Sequence, residues 1–240
     1  MPLNISIADL SPVAVPGLIC LLVSYLLGSL NFSIILSKFR NDDVRKHGSG
    51  NAGMTNTLRT YGKWAAVLVF VMDFIKCAVA ILITRAVIAN VVEANALSSS
   101  VVTVSGYLAG YICMLGHMFP VYFGFRGGKG VVTSTALILF IDWRCFLVVF
   151  AVFAILFIWK KIISLGSVIG AFVYPIANFI ITYLFDYTGS PLANHGDKSM
   201  LYLIAVTVIS ALIGGTVMFM HRANIGRLLA GTEKPIVKKK

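Results

Sequence analysis

Apolar residues in this chain fall into blocks of roughly the length that crosses a bilayer, about 20 residues each. The blocks lie at 10–36, 64–84, 101–119, 145–159, 165–185 and 200–220, with a shorter one at 131–141. Eleven residues are too few for a straightforward crossing, so 131–141 predicts a short or tilted helix. The pattern as a whole predicts an all-α integral membrane protein with seven transmembrane helices. No Lys or Arg precedes Lys38, so the start lacks the basic region that opens a signal peptide, and the first block is expected to be a retained span. Seven crossings would use about 140 residues. The remainder is too short for a separate soluble domain, so 1–240 is expected to be a single membrane-embedded domain.

An odd number of crossings puts the termini on opposite sides, and basic residues choose the side. With the N-terminus outside, the inside segments hold sixteen: Lys38, Arg40, Arg45, Lys46, Arg59, Lys63, Arg126, Lys129, Lys160, Lys161, Arg222, Arg227, Lys234, Lys238, Lys239 and Lys240. The outside segments hold three, Arg85, Arg144 and Lys198, and Lys76 lies within a span. The positive-inside rule therefore predicts an outside N-terminus and a cytoplasmic C-terminus. Dropping the 131–141 helix would separate Lys160 and Lys161 from Arg126 and Lys129, which worsens the split.

Composition agrees with this picture and adds a question. The chain is 58% hydrophobic and 12% charged, against roughly 25% charged in soluble domains. Its net charge is +11. In a soluble protein that excess would suggest nucleic acid; in a membrane protein it points to cytoplasmic loops or phosphorylated ligands, and nucleic acid is not an expected partner. Cys20, Cys77, Cys113 and Cys145 lie in or beside apolar blocks without metal-ligand spacing, so they are read as packing residues, with no metal site expected.

Three polar segments on the predicted cytoplasmic side carry chemistry, at 48–63, 116–130 and 221–233. The first contains Gly48, Ser49, Gly50, Asn51, Gly53, Thr55, Asn56 and Arg59. Alternating glycines let a backbone approach a ligand, successive N–H groups can form an anion-binding concavity, and Arg59 adds fixed charge. The second contains His117, Pro120, Gly127, Gly128, Lys129 and Gly130. A lysine between glycines suggests phosphate contact, but Phe123 and Gly130 stand where a nucleotide-binding P-loop needs Gly and Ser or Thr. The third contains His221, Asn224 and Arg227, which recur every three residues and would drift slowly around one face if the last helix continued through them. Each segment also has a plainer reading: a capped loop, a turn into a helix, and a basic helix end on anionic lipid, the last being the preferred reading of the Lys238, Lys239 and Lys240 tail. Asp73 and Lys76 are expected to pair inside the second block. Ser164 and Ser167 are read as helix caps or as residues reaching the site.

Together, G-S-G-N-A-G-M-T-N-T-L-R-T-Y-G-K, G-H-M-F-P-V-Y-F-G-F-R-G-G-K-G and H-R-A-N-I-G-R-L-L-A-G-T-E closely resemble the three cytoplasmic motifs of the bacterial acyl-phosphate:glycerol-3-phosphate acyltransferases, the PlsY family. The resemblance covers the chain in length, span number and motif order. It implies a multi-pass enzyme of the bacterial inner membrane, working at the cytoplasmic face in phospholipid biosynthesis. It would transfer a fatty acyl group from acyl phosphate to the sn-1 hydroxyl of glycerol 3-phosphate, giving lysophosphatidic acid and phosphate with no cofactor. Cys77 departs from the pattern, where Gly is expected. The resemblance assigns Ser49, Asn51, Gly53, Thr55, Asn56 and Arg59, with Gly50 beside them, to the acyl-phosphate and catalytic region. It assigns Gly128 and Lys129 to phosphate binding, His117 and Pro120 to shaping the loop, and His221, Asn224 and Arg227, with Ser167 in reach, to glycerol 3-phosphate.

The chemistry fits. Two anionic substrates need concentrated cations and N–H donors, and an acyl phosphate is already activated, so no covalent acyl-enzyme is required. None of His47, His117, His195 or His221 has Asp five positions later, which excludes the H-x-x-x-x-D acid–base pair of other glycerophosphate acyltransferases. The proton acceptor is then a substrate phosphate oxygen or His221. Pathway logic adds the enzyme that makes acyl phosphate as a partner, and membrane lipids surround the chain. A transporter of a phosphorylated solute is the rival reading; it would favour internal repeats and midplane polar groups, whereas no convincing repeat is found and the polar motifs cluster at one face.

Overall fold

The computed structural model describes residues 11–188 and 199–236. Leu10, His195, Lys198 and the tail residues Lys238, Lys239 and Lys240 lie outside the described residues. Within them all regular structure is helical. The described residues divide into two compact units, one up to Ile141 and one from Asp142.

The first unit contains α1 (Ser11–Ser29), α2 (Phe32–Lys38), α3 (Met54–Tyr61), α4 (Lys63–Ala94), α5 (Ser100–Met118) and α6 (Val131–Ile141). The predicted first span, 10–36, is therefore two helices. The break falls at Leu30 and Asn31, where the Asn31 side chain accepts from Ile34 N and caps α2. An apolar run hides such a break because Leu30 and Phe32 keep hydropathy high on both sides. In α1 the buried residues Cys20, Ser24 and Gly28 recur every four positions, a stripe of small side chains that lets α5 approach closely. A Cβ on Gly28 would collide with the Cys113 backbone, and one on Gly116 with the Tyr25 carbonyl.

The second predicted span, 64–84, is the start of a 32-residue helix. That is about 48 Å at about 1.5 Å per residue, longer than a hydrocarbon core of about 30 Å. Arg85 ends the apolar run but not the helix: it is a good helix former, and its guanidinium donates to the Phe140 carbonyl at 3.0 Å.

The second unit contains α7 (Trp143–Lys160), α8 (Ile163–Ile181), α9 (Met200–Met220) and α10 (Arg222–Leu229), with a π-helical turn at Thr182–Tyr187 after α8. Asp142 caps α7 by accepting from Arg144 N at 2.9 Å. Gly166 of α8 packs on Phe153 of α7, and Gly214 of α9 on the Ala171 carbonyl of α8. The last span does not continue unbroken through the third motif. The chain turns at His221 (φ −97°, ψ 7°) and restarts as α10. Ser164 and Ser167 do not cap α8, whose cap position is Ile162.

Six of these helices are long and apolar enough to cross a membrane, and Val131–Ile141 is a shorter apolar helix. The four cysteines are buried in helix packing.

Candidate active site

In the first unit the 48–53 loop is shaped by two glycines and one amide. Gly48 and Gly50 have φ of +56° and +70°, the left-handed region that side chains resist. Asn56, buried in α3, donates to the Val44 and His47 carbonyls at 2.9 and 3.0 Å and accepts from Ser49 N at 2.9 Å. Its amide is thus engaged in holding the loop. Gly53 caps α3 without a side-chain hydrogen bond, which leaves the first N–H groups of that helix and its positive dipole end for an anion. Ser49 is exposed, Asn51 and Thr55 are half-buried at this end, and Arg59 is exposed one turn further along α3.

A carboxylate clasp closes the segment from behind. Asp42 accepts from His47 at 2.9 Å, from the Tyr61 hydroxyl at 2.8 Å and from Asp43 N at 2.7 Å. Those three bonds, the His47 one foremost, hold its carboxyl down at about 2. Burial, and then the Asp42 bond, pushes the Tyr61 phenol up to about 12. A carboxyl whose folded value lies below its ordinary 3.8 stabilises the fold above that pH and loses its contribution as pH falls toward 2. The stability gap between wild type and Asp42→Asn should therefore be constant above pH 4 and shrink between pH 4 and 2, read by denaturation in detergent micelles. A gap unchanged at pH 2 would refute the clasp.

The 116–130 segment lies against this loop within the same unit. After α5 ends, Gly127 N donates to the Met118 carbonyl at 3.0 Å and Gly128 N to the His117 carbonyl at 3.1 Å. Space at Gly128 is minimal: a Cβ there would collide with the His117 ring and stand 2.8 Å from the Ala52 carbonyl. The first and second motifs thus touch at Gly128, and half-buried Lys129 follows at once. His117 is itself propped from below. Its Nδ1 lies 3.1 Å from Lys76 Nζ and 3.5 Å from Asp73 Oδ1, and Lys76 and Asp73 pair at 2.6 Å. Lys76 also donates to the Leu30 carbonyl at 2.8 Å, in the break between α1 and α2. The expected Asp73–Lys76 pair is present, and it supports the floor beneath the two loops.

In the second unit the third motif is organised around one carboxylate. Glu233 accepts from Ser164 Oγ at 2.6 Å, Asn224 Nδ2 at 2.7 Å and Arg227 Nε at 2.5 Å. Burial raises its carboxyl, but the bonds from Ser164, Arg227 and Asn224 outweigh burial and leave it below its ordinary range. Three residues apart on α10, Asn224 and Arg227 share a face, and Glu233 folds back onto it. Ser167 is turned inward, donating to the Ile163 carbonyl at 3.0 Å. His221 is buried, with Nδ1 2.8 Å from the Val217 carbonyl. A carbonyl only accepts, so Nδ1 carries the hydrogen and Nε2 is the basic nitrogen of the neutral ring.

The sequence pattern gives Asn31, Arg45 and Glu233 no role in the site. Asn31 is a lone amide inside an apolar run, and Glu233 is the single acidic residue after Asp197; both are signals of a kind that could have raised them.

A family model described as glycerol-3-phosphate acyltransferase matches residues 18–231. A glycerol-3-phosphate acyltransferase of Shouchella clausii (strain KSM-K16) is 40% identical, over 91% of this chain and 95% of the relative. One from Aquifex aeolicus (strain VF5) is 34% identical, over 90% and 97%. The fold is similar to the crystal structure of PlsY (YgiH), an integral membrane glycerol 3-phosphate acyltransferase. The TM-score is 0.71 for its glycerol 3-phosphate form and 0.69 for its lysphosphatidic acid form, each at 32% identity over 91% of this chain and 94% of that one. With a family model covering 18–231 and relatives matched along nearly their whole length, the chain belongs to the PlsY family of integral membrane glycerol-3-phosphate acyltransferases.

Proposed function

We propose that this enzyme, acting as one domain over its whole length, transfers a fatty acyl group from acyl phosphate to the sn-1 hydroxyl of glycerol 3-phosphate at the cytoplasmic face of a bacterial inner membrane. The products are lysophosphatidic acid and inorganic phosphate. The observation that carries the donor assignment is the abutment at Gly128. Contact of Gly128 with the Ala52 carbonyl brings the Gly-Lys turn against the left-handed glycine loop that leads into α3, which supports reading those amides, with Arg59 and Lys129, as a phosphate site. The forms in which the structural neighbour was solved, with glycerol 3-phosphate and lysphosphatidic acid, support the acceptor and product.

The step balances without a covalent acyl-enzyme. The sn-1 oxygen attacks the acyl carbonyl carbon, a new C–O bond forms, and the C–O bond to phosphate breaks. The proton goes to a phosphate oxygen or to His221 Nε2. Ser49 and Asn51 supply hydrogen bonds, Arg59 and Lys129 stabilise the departing phosphate, and Asn224 and Arg227 address glycerol 3-phosphate, each charge held where it develops. The acyl chain stays among apolar helices, and the sixteen-to-three bias of basic residues supports the cytoplasmic orientation. The producer of acyl phosphate is the natural partner.

Purified protein given glycerol 3-phosphate should form lysophosphatidic acid with acyl phosphate and none with acyl-CoA. Product from acyl-CoA alone would overturn the donor assignment. No product from either, together with uptake of a phosphorylated solute into liposomes, would favour a transporter.

A further inference from the structure

Two side chains outside the three motif segments hold the second motif, Asn31 against the first motif and Arg45 against the turn just before it. Asn31 is fully buried. Its Oδ1 caps α2, while Nδ2 donates to the Ala52 carbonyl at 3.1 Å and, over a longer 3.4 Å, to the His117 carbonyl. The same His117 carbonyl accepts from Gly128 N. One amide therefore grips the 48–53 loop with one hydrogen and the anchor of Gly128 with the other. Arg45 makes the second tie: its Nη1 donates to the Phe123 carbonyl at 2.9 Å and the Arg126 carbonyl at 3.2 Å, on the turn that leads into Gly127. Its Nε and Nη2 are held by Asp43 at 2.9 and 2.8 Å, so the guanidinium plane cannot swing away.

We propose that Asn31 and Arg45 are positioning residues for the transfer reaction, fixing the 127–129 loop against the 48–53 loop so that Lys129 and the loop amides address one phosphate. This rests on the acyl-phosphate reading above. Neither residue touches the reacting atoms; each acts through the backbone of a loop that does. Because the Asn31 tie reaches Gly128 through the His117 carbonyl and the Arg45 tie holds the turn that leads into Gly127, loosening one removes part of what the other achieves.

Asn31→Asp keeps the acceptor that caps α2 but turns both donated bonds into contacts between a carboxylate and carbonyls. Arg45→Lys keeps the charge and loses the fork. Per folded molecule, each should lower kcat/KM for acyl phosphate roughly 10- to 100-fold. KM for acyl phosphate should rise more than KM for glycerol 3-phosphate, and the double variant should lose less than the product of the single losses. Ser24→Ala, which removes a hydrogen bond inside α1, should change neither KM. If Asn31→Asp fails to fold, Asn31→Ser retains a capping oxygen and loses the Nδ2 ties. Variants within about twofold of wild type overturn the proposal. So do multiplicative losses shared equally by both substrates and matched by lowered unfolding temperatures. Wild type that makes no lysophosphatidic acid from acyl phosphate overturns the donor reading and this proposal together; active wild type with unaffected variants overturns this proposal alone.

Discussion

Gly128→Ala should lower kcat/KM by about 100-fold or more while leaving the helices folded. The reason is space. Gly128 is buried between the His117 ring and the Ala52 carbonyl, with no room for a methyl group against either. The ring cannot yield easily, because Nδ1 is engaged by the Lys76–Asp73 pair, and the Ala52 carbonyl is tied to Asn31. The loop must therefore move, taking Lys129 with it, and a displacement of about 1 Å at a positioned group costs roughly 100-fold in rate. Gly226→Ala is the contrast: nothing lies within 4 Å of a Cβ there, and alanine favours the interior of α10 by up to about 1 kcal/mol. By sequence the two are equally motif glycines. Steady-state kinetics with both substrates, alongside thermal unfolding in detergent, would check this, and near-normal turnover by Gly128→Ala would disprove the abutment.

Glu233→Ala carries the second large effect. Three donors end on this carboxylate, and its side chain is 10% exposed. Removing it takes an acceptor from Ser164 and Asn224 and releases the Arg227 guanidinium from its ion pair. Arg227 is 47% exposed, so water recovers part of that loss, and we expect a destabilisation of about 1–3 kcal/mol. The kinetic effect should be larger, about 100-fold in kcat/KM, because the contacts proposed for Asn224 and Arg227 with glycerol 3-phosphate depend on the geometry that Glu233 holds. Glu233→Gln should fall between, since it keeps an acceptor for Asn224 without the charge that holds Arg227. An Ala variant that unfolds at the wild-type temperature with an unchanged KM for glycerol 3-phosphate would disprove this organising role.

Much of this could be read from the sequence, for one physical reason. A bilayer demands that each crossing satisfy its own backbone, so helices announce themselves as apolar blocks. Met200–Met220 and Val131–Ile141 begin and end where hydropathy places them. Boundaries depart from hydropathy where something else decides them: Asn31 splits the first block by capping, α4 runs on past Arg85, which bonds the Phe140 carbonyl, and the chain turns at His221 before α10. The motifs were legible because glycines, amides and cations are costly in a membrane protein and cluster only where something needs them.

By itself the sequence determined the helical membrane class, the three polar segments and the family they resemble, since each depends on residue types in order along the chain. Tertiary structure alone decided which of those residues hold one another. Asn56 is occupied with the loop that follows His47, Gly128 is a point of contact between two motifs, and Glu233 gathers Ser164, Asn224 and Arg227 from positions 69, 9 and 6 residues away. Such convergence depends on distances through space, which a linear spacing does not encode.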